Sequence, residues 1–403
     1  MESKDLIVIE DLYGAHNYHP LDVVISKAQG IWMYDVEGRK YLDFLSSYSA
    51  VNQGHRHPRI VKALINQAKT LTLTSRAFRN DQWPLLAKEL CDLTGYSMVL
   101  PMNSGAEAVE TAVKTARKWA YQKKGVPRDR AEIIACANNF HGRTVTAVSF
   151  STEPLYRQDF GPFTPGFVII PFGDVNALEK AMTPNTAAFI VEPIQAEAGI
   201  LIPPDGFLRK AREICSRNNV LFIADEIQTG LGRVGKLLAC EHESVRPDIV
   251  VIGKSLGGGC YPISAVLADR EILGVFKPGE HGSTFGGNPL ASAVARESLK
   301  VIQEEKLVDN AAERGAYFLE KLKKIKSKAI REIRGRGLLV GIELRPEAGG
   351  ARRYCEELMK EGLLCKETHE HVIRFAPPLV IRDKDLNWAF KRIREVFKRL
   401  EKA

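Results

Sequence analysis

No apolar run in the 403 residues approaches the ~18 that a membrane-spanning helix requires. The seven cysteines, at 91, 136, 215, 240, 260, 355 and 365, are odd in number, scattered, and never form a C-x-x-C pair. That excludes a disulfide framework or a cysteine zinc site and fits reduced thiols. Histidines are few, and the pairs His55/His57 and His369/His371 are remote from each other, so no metal is expected. There is no internal repeat and no low-complexity linker. The start, Met1-Glu2-Ser3-Lys4-Asp5, is acid-containing and leads into no signal-type apolar stretch. The expectation is a cytoplasmic protein.

What is present is core-forming material. Hydrophobic residues make up 45% of the chain, enough for a large buried interior and two or three domains. The net charge of +8 keeps a nucleic-acid-binding protein among the competing classes. Its densest stretches, Lys321–Lys328 and Lys391–Lys402, carry apolar residues at helical spacing and read as solvated helix faces. The other use of positive charge is an anionic small substrate or cofactor.

Along the chain, Ile31–Asp35 and Lys40–Phe44 flank Val36-Glu37-Gly38-Arg39, a hairpin signal. From about 85 to 305, strand-like and helical segments alternate. Strands are expected at Glu132–Ala137, Thr144–Phe150, Phe167–Ile170, Ala187–Val191, Val220–Ala224, Asp248–Ile252 and Ile263–Ala268. Helices are expected at Ala106–Lys123, Asp205–Asn218 and Pro289–Glu304. Such alternation predicts an α/β fold with a mostly parallel, helix-covered sheet. After about 310 the texture becomes a smaller α+β unit: helix 310–328, strand Leu338–Leu344, helix Ala351–Glu361, strand Val372–Phe375 and helix Asp383–Lys402. The expected division is an N-terminal segment 1–50 packing with a small C-terminal domain 306–403, beside a large domain 51–305.

Several short stretches carry chemistry. Lys254 ends the apolar run Asp248–Gly253 and precedes Ser255-Leu256-Gly257-Gly258-Gly259. A buried strand would deliver it to a ligand crevice, where desolvation leaves a nucleophilic amine suited to a Schiff base. The competing reading is a lysine that merely solvates a strand end. Asp225 closes another apolar run, Val220–Ala224. A carboxylate there needs a cationic partner, either an ordinary salt bridge or a protonated heterocyclic nitrogen such as that of a pyridoxal ring. Ser104 and Glu107 stand at capping-box spacing, so a helix starts there with free N–H groups fit for a phosphate, although most capped starts bind nothing. Phe140-His141-Gly142-Arg143 offers a flat apolar face, a base and a fork for a carboxylate. Gly230-Leu231-Gly232-Arg233-Val234-Gly235 is a literal G-x-G-x-x-G, the basis of a nicotinamide-dependent oxidoreductase reading. Five residues separate it from the preceding strand end and no clear βαβ unit follows, so it reads instead as a glycine-rich active-site loop.

Taken in order, the Ser-Gly-Ala-Glu helix start, Phe140–Arg143, Glu192-Pro193-Ile194-Gln195, Asp225–Gly230 and Gly253-Lys254 resemble the class III (omega) aminotransferases, pyridoxal-phosphate enzymes of fold type I. The resemblance covers nearly the whole chain. Within the family, Tyr13–Pro20, Phe44–His55 and Arg374–Leu379 resemble the branch that acts on ornithine. This resemblance implies that Lys254 binds the cofactor covalently and shuttles the proton, with Asp225 on the pyridinium nitrogen. It also implies that Gln228 meets the phenolic oxygen, Phe140 stacks on the ring with His141 beside it, and Ser104, Gly105 and Ala106 hold the phosphate. Ser283 and Thr284 would reach the phosphate of a neighbouring subunit, which implies a homodimer. Arg143, Tyr18 and Tyr48 would bind the remote end of ornithine, and Arg374 the second carboxylate of 2-oxoglutarate. Glu197 would neutralise Arg374 while ornithine is bound. Other activities of the family are the nearest alternatives: acetylornithine or 4-aminobutyrate transamination, or amino-acid racemisation. Whether the reaction serves proline synthesis or arginine breakdown is left open.

Overall fold

The computed structural model describes residues 1–401. Its centre is a seven-stranded sheet built from β4 (Met98–Met102), β5 (Glu132–Cys136), β6 (Phe167–Ile170), β7 (Thr186–Val191), β8 (Leu221–Asp225), β9 (Ile249–Ile252) and β10 (Ser264–Ala268), in the order β4-β10-β9-β8-β7-β5-β6. β10 runs antiparallel to both neighbours, and the remaining pairs are parallel. β7, β8 and β9 are buried at every position, which is why they read as unbroken apolar runs: helices cover both faces of a parallel sheet. The helix Gly105–Trp119 lies across β9 and β10 and buries Val109, Ala112, Val113 and Ala116. Removing each of its valines from water contributes roughly 1.5–3 kcal/mol. On the other side, the helix Pro289–Glu304 packs on helices Pro58–Ala68 and Gln82–Thr94.

Two four-stranded sheets flank this core. One contains β1 (Ile25–Gln29), β2 (Trp32–Asp35), β3 (Lys40–Asp43) and β13 (Leu363–Leu364), so the two ends of the chain share a sheet. The pairing of β3 with β13 is parallel, with Leu42 opposite Leu363. The other is β11 (Ile330–Arg336), β12 (Leu339–Leu344), β15 (Val372–Phe375) and β14 (Lys366–Thr368), all antiparallel. On these grounds we propose the division 1–50, 51–305 and 306–403. Limited proteolysis that cut first within 51–305, and not near its ends, would contradict it.

Two expectations are corrected. Thr144–Phe150 is not a strand: Val145–Ser149 is helical. The Thr144 hydroxyl accepts the Ala147 N–H at 3.1 Å, so a local cap overrides the strand preference of the β-branched residues. The helix expected over 310–328 spans Leu307–Leu322, and the lysine-rich tail turns into β11, so Lys323–Lys328 is not a helix face. Among the described residues, no helix is long and apolar enough to cross a membrane.

Candidate active site

The parallel strands deliver chemistry-bearing residues to one end of the large sheet, around a single cavity. Gly105 and Ala106 follow β4, and Phe140, His141 and Gly142 follow β5. Glu192 and Ile194 follow β7; Asp225, Ile227 and Gln228 end or follow β8; Lys254 follows β9. This is the carboxyl-end crevice that open α/β sheets use for ligands.

Lys254 is half-buried and has φ of 44°, a left-handed conformation that costs a lysine on the order of 1 kcal/mol. The next residue is locked in place: the Ser255 carbonyl accepts from Gln53 Nε2 at 2.9 Å and Ser298 Oγ at 2.8 Å. The backbone therefore aims this amine into the cavity. Burial lowers its pKa, against the pull of Glu197 and Asp225. The solvated-strand-end reading of Lys254 does not fit such a setting.

Asp225 is buried, with Oδ1 accepting the Ile227 N–H at 3.1 Å and Oδ2 accepting His141 Nδ1 at 2.7 Å. Because a carboxylate only accepts, His141 carries the proton on Nδ1. The pair fixes the direction of the Asp225 carboxylate. Glu192, also buried, accepts the Phe140 N–H at 2.8 Å and so holds the loop that carries Phe140. Burial, reinforced by Asp225, raises the Glu192 carboxyl well above its ordinary value. The sequence reading gave Glu192 no role, although it follows a buried strand just as the Asp225 signal does. Ile227 was also missed. It presses on the helix start, where a Cβ at Gly105 would sit 3.0 Å from its Cδ1.

Beyond this cavity lies a charged end. Arg374, only 1% exposed, donates from Nη1 to Glu197 Oε1 at 2.7 Å. Gln228 Nε2 reaches the same oxygen at 3.1 Å. Burial would raise the Glu197 carboxyl, but the Arg374 charge and these hydrogen bonds bring it below its ordinary value. The Arg374 guanidinium also stands 4.6 Å from the centre of the Tyr48 ring. Arg143 is exposed and stacks on Tyr156 at 3.7 Å and, more loosely, on Phe140 at 5.4 Å. Tyr18 is 74% exposed and meets Tyr48 across a separate, largely apolar cavity.

Three of the expected cofactor-binding residues do not line the main cavity. The Ser104 hydroxyl caps the helix by accepting the Glu107 N–H at 3.2 Å, while Glu107 reaches back to the Ser104 N–H. Ser283 accepts from Asn103 Nδ2 at 2.6 Å, and Thr284 is exposed.

Comparison with known proteins agrees in sequence and in shape. The class-III aminotransferase family matches residues 13–397. An ornithine aminotransferase of Brevibacillus brevis is 62% identical over 396 residues, covering 98% of each chain. That of Bacillus subtilis is 60% identical over 397 residues, again covering 98% of both. In structure, an ornithine aminotransferase of Toxoplasma gondii, with partially occupied pyridoxal phosphate in its active site, superposes with a TM-score of 0.98 at 49% identity. That match covers 99% of this chain and 95% of the other. An acetylornithine aminotransferase of Elizabethkingia anophelis superposes with a TM-score of 0.91 at 48% identity, covering 99% and 100%. The sheet order, the lysine after β9 and the acid at the end of β8 thus sit in a fold type I scaffold: the chain belongs to the class-III aminotransferases, which use pyridoxal phosphate.

Proposed function

We propose that the chain transfers the terminal amino group of L-ornithine to 2-oxoglutarate, giving glutamate 5-semialdehyde, which cyclises to pyrroline-5-carboxylate, and L-glutamate. The observation that carries this reading is the 62% identity, over 98% of both chains, to an ornithine aminotransferase.

The cavity fits the cofactor. A helix N-terminus bare of side chains at Gly105 presents N–H groups to a phosphate, Phe140 and Ile227 are apolar, and the oriented Asp225 carboxylate has lone pairs to spare. Bound pyridoxal phosphate supplies an aldehyde that takes up amines and a ring that holds the electron pair released at the substrate carbon. Lys254 Nζ holds the cofactor between turnovers and carries the proton between substrate and cofactor, a task its lowered pKa suits. Asp225, oriented by His141, keeps the ring nitrogen protonated. Gln228 would hydrogen-bond the cofactor's phenolic oxygen and Phe140 would offer its ring an apolar surface. Gly105 and Ala106 hold the phosphate, with the Ser104 cap fixing the turn beneath them.

Substrate choice follows from charge. Ornithine must place its terminal amine at Lys254 and its α-carboxylate far away, where Arg143, Tyr18 and Tyr48 receive it. A free Arg374 would bind that carboxylate near the reacting centre and expose the wrong amine. The Glu197 ion pair occupies Arg374 during this half-reaction and opens for the second carboxylate of 2-oxoglutarate. An acetylornithine reading has the Elizabethkingia likeness in its favour, but a tyrosine pair suits a zwitterionic end better than an acetylated one.

A substrate panel tests both points: ornithine, N-acetylornithine, lysine and 4-aminobutyrate, each with 2-oxoglutarate, with trapping of the pyrroline. Ornithine is expected to be favoured over the others by about tenfold or more in kcat/KM. In Glu197→Ala, the glutamate half-reaction should gain relative to the ornithine one. Preference for N-acetylornithine contradicts the substrate assignment, and an unchanged ratio contradicts the gate. We further place the enzyme in the cytoplasm as a homodimer, in which Ser283 and Thr284 serve the partner's phosphate; its seven cysteines are unpaired.

A further inference from the structure

The glycine motif at 230–235 has no place in the mechanism above, yet it carries the most deeply buried cation among the described residues. Arg233 is 0% exposed. Its guanidinium is held by neutral oxygens: Nη1 donates to the Leu338 carbonyl at 2.9 Å and the Pro377 carbonyl at 2.6 Å, and Nη2 donates to the Asn52 side-chain oxygen. Its own carbonyl accepts the Leu338 N–H at 3.1 Å. The Asp43 carboxylate acts on it only from beyond ion-pair distance, and burying a cation without a direct ion pair is costly, so these contacts need a reason.

The three partners come from three parts of the chain. Asn52 belongs to the loop that carries Tyr48, and its backbone carbonyl accepts the Leu379 N–H at 2.7 Å. Leu338 enters β12, the strand that pairs Gly341 with Arg374. Pro377 leaves β15, three residues beyond Arg374. Arg233 itself stands in the loop that begins at Asp225 and Gln228. One side chain therefore ties the cofactor end of the site to the strands that present Arg374. The glycines make the approach possible. A Cβ at Gly232 would lie 3.1 Å from Leu379, one at Gly235 2.8 Å from Ala312, and one at Gly337 2.4 Å from the Val234 backbone.

We infer that Arg233 is a positioning residue for the dicarboxylate substrate: it fixes where Arg374 stands relative to Lys254. The inference rests on the reading of Arg374 as the site of the second carboxylate. A displacement of about 1 Å at such a distance can cost up to ~100-fold in rate, and the loss falls on the substrate that Arg374 must grip. Ornithine meets this network only through the Asn52–Tyr48 segment, which the Asn52 carbonyl also anchors to the Leu379 N–H without Arg233, so it depends on Arg233 less.

The two half-reactions of the holoenzyme separate these demands. In Arg233→Lys, which keeps the charge but cannot span all three oxygens, KM for 2-oxoglutarate and Kd for unreactive glutarate should rise about tenfold. The single-turnover rate with ornithine should change less than about threefold. Asn52→Ala removes one acceptor without burying a new charge, and should shift the same two constants by roughly threefold, so the inference stays testable if Arg233→Lys does not fold. Equal losses in both half-reactions, or no rise for either dicarboxylate, overturn the inference. Arg374→Lys is the control. If it leaves glutarate binding intact, the assignment of Arg374 fails; if it weakens glutarate binding and the Arg233 and Asn52 variants do not, only the positioning role fails.

Discussion

Asp225 and Lys254 were legible because each ends a run of apolar, β-branched residues, where a charged group has to be explained. Glu192 closes an equally buried strand, but a single sequence does not show that two acids, 192 and 225, converge on one cavity. The meeting of Arg374 with Glu197 was reached through resemblance, and Arg233 was hidden inside a motif that suggested a different cofactor. Glu192 yields a pH prediction. Its native pKa is raised, mainly by burial, so the folded state holds a proton that the unfolded chain has lost. Stability contributed by this group is present below the ordinary carboxyl range and is lost as pH rises towards the native value. Glu192→Gln keeps an acceptor for the Phe140 N–H and removes that dependence. In the cofactor-free enzyme its Tm should gain on the wild type as pH goes from about 5 to about 8. Melting curves that stay a constant interval apart over this range would show that Glu192 is not held neutral.

Among the elements, long periodic segments were read well. The helix Pro289–Glu304 and strands Phe167–Ile170 and Val372–Phe375 match their expected limits. Misreadings fell where local chemistry beat propensity, as at Thr144, and where a lysine-rich stretch masked a turn before β11. β4 was missed because Pro101 interrupts its apolar pattern. The helix Leu307–Leu322 packs closely on the loop at Gly337 that joins β11 to β12. A Cβ at Gly315 would lie 2.1 Å from the Gly337 carbonyl, closer than any side chain tolerates. Gly315→Ala therefore has to push that helix off the loop. It should lower unfolding free energy by about 2 kcal/mol or more, as overpacking does, measured by urea denaturation. A loss under ~0.5 kcal/mol would mean that the helix and loop yield freely.

For the molecule as a whole, the parallel sheet was readable as alternation, whereas the pairing of β3 with β13 was not. That contact joins residues more than three hundred positions apart, and no local pattern encodes it. Assembly follows the same logic. Ser283 and Thr284 lie outside their own cavity, and Phe78 and Phe285 are 73% and 46% exposed. A dimer would cover such surface and bring the loop to a neighbour's phosphate. Sedimentation at micromolar concentration should give twice the chain mass, and Thr284→Ala should weaken cofactor retention; a fully active monomer would contradict this arrangement. In the proposed reaction one lysine, Lys254, aimed by a strained backbone, does the chemistry. Borohydride reduction of the cofactor-loaded enzyme, followed by peptide mass mapping, tests it most directly. A pyridoxyl group is expected on Lys254 and on no other lysine; a label elsewhere, or none, would contradict this role.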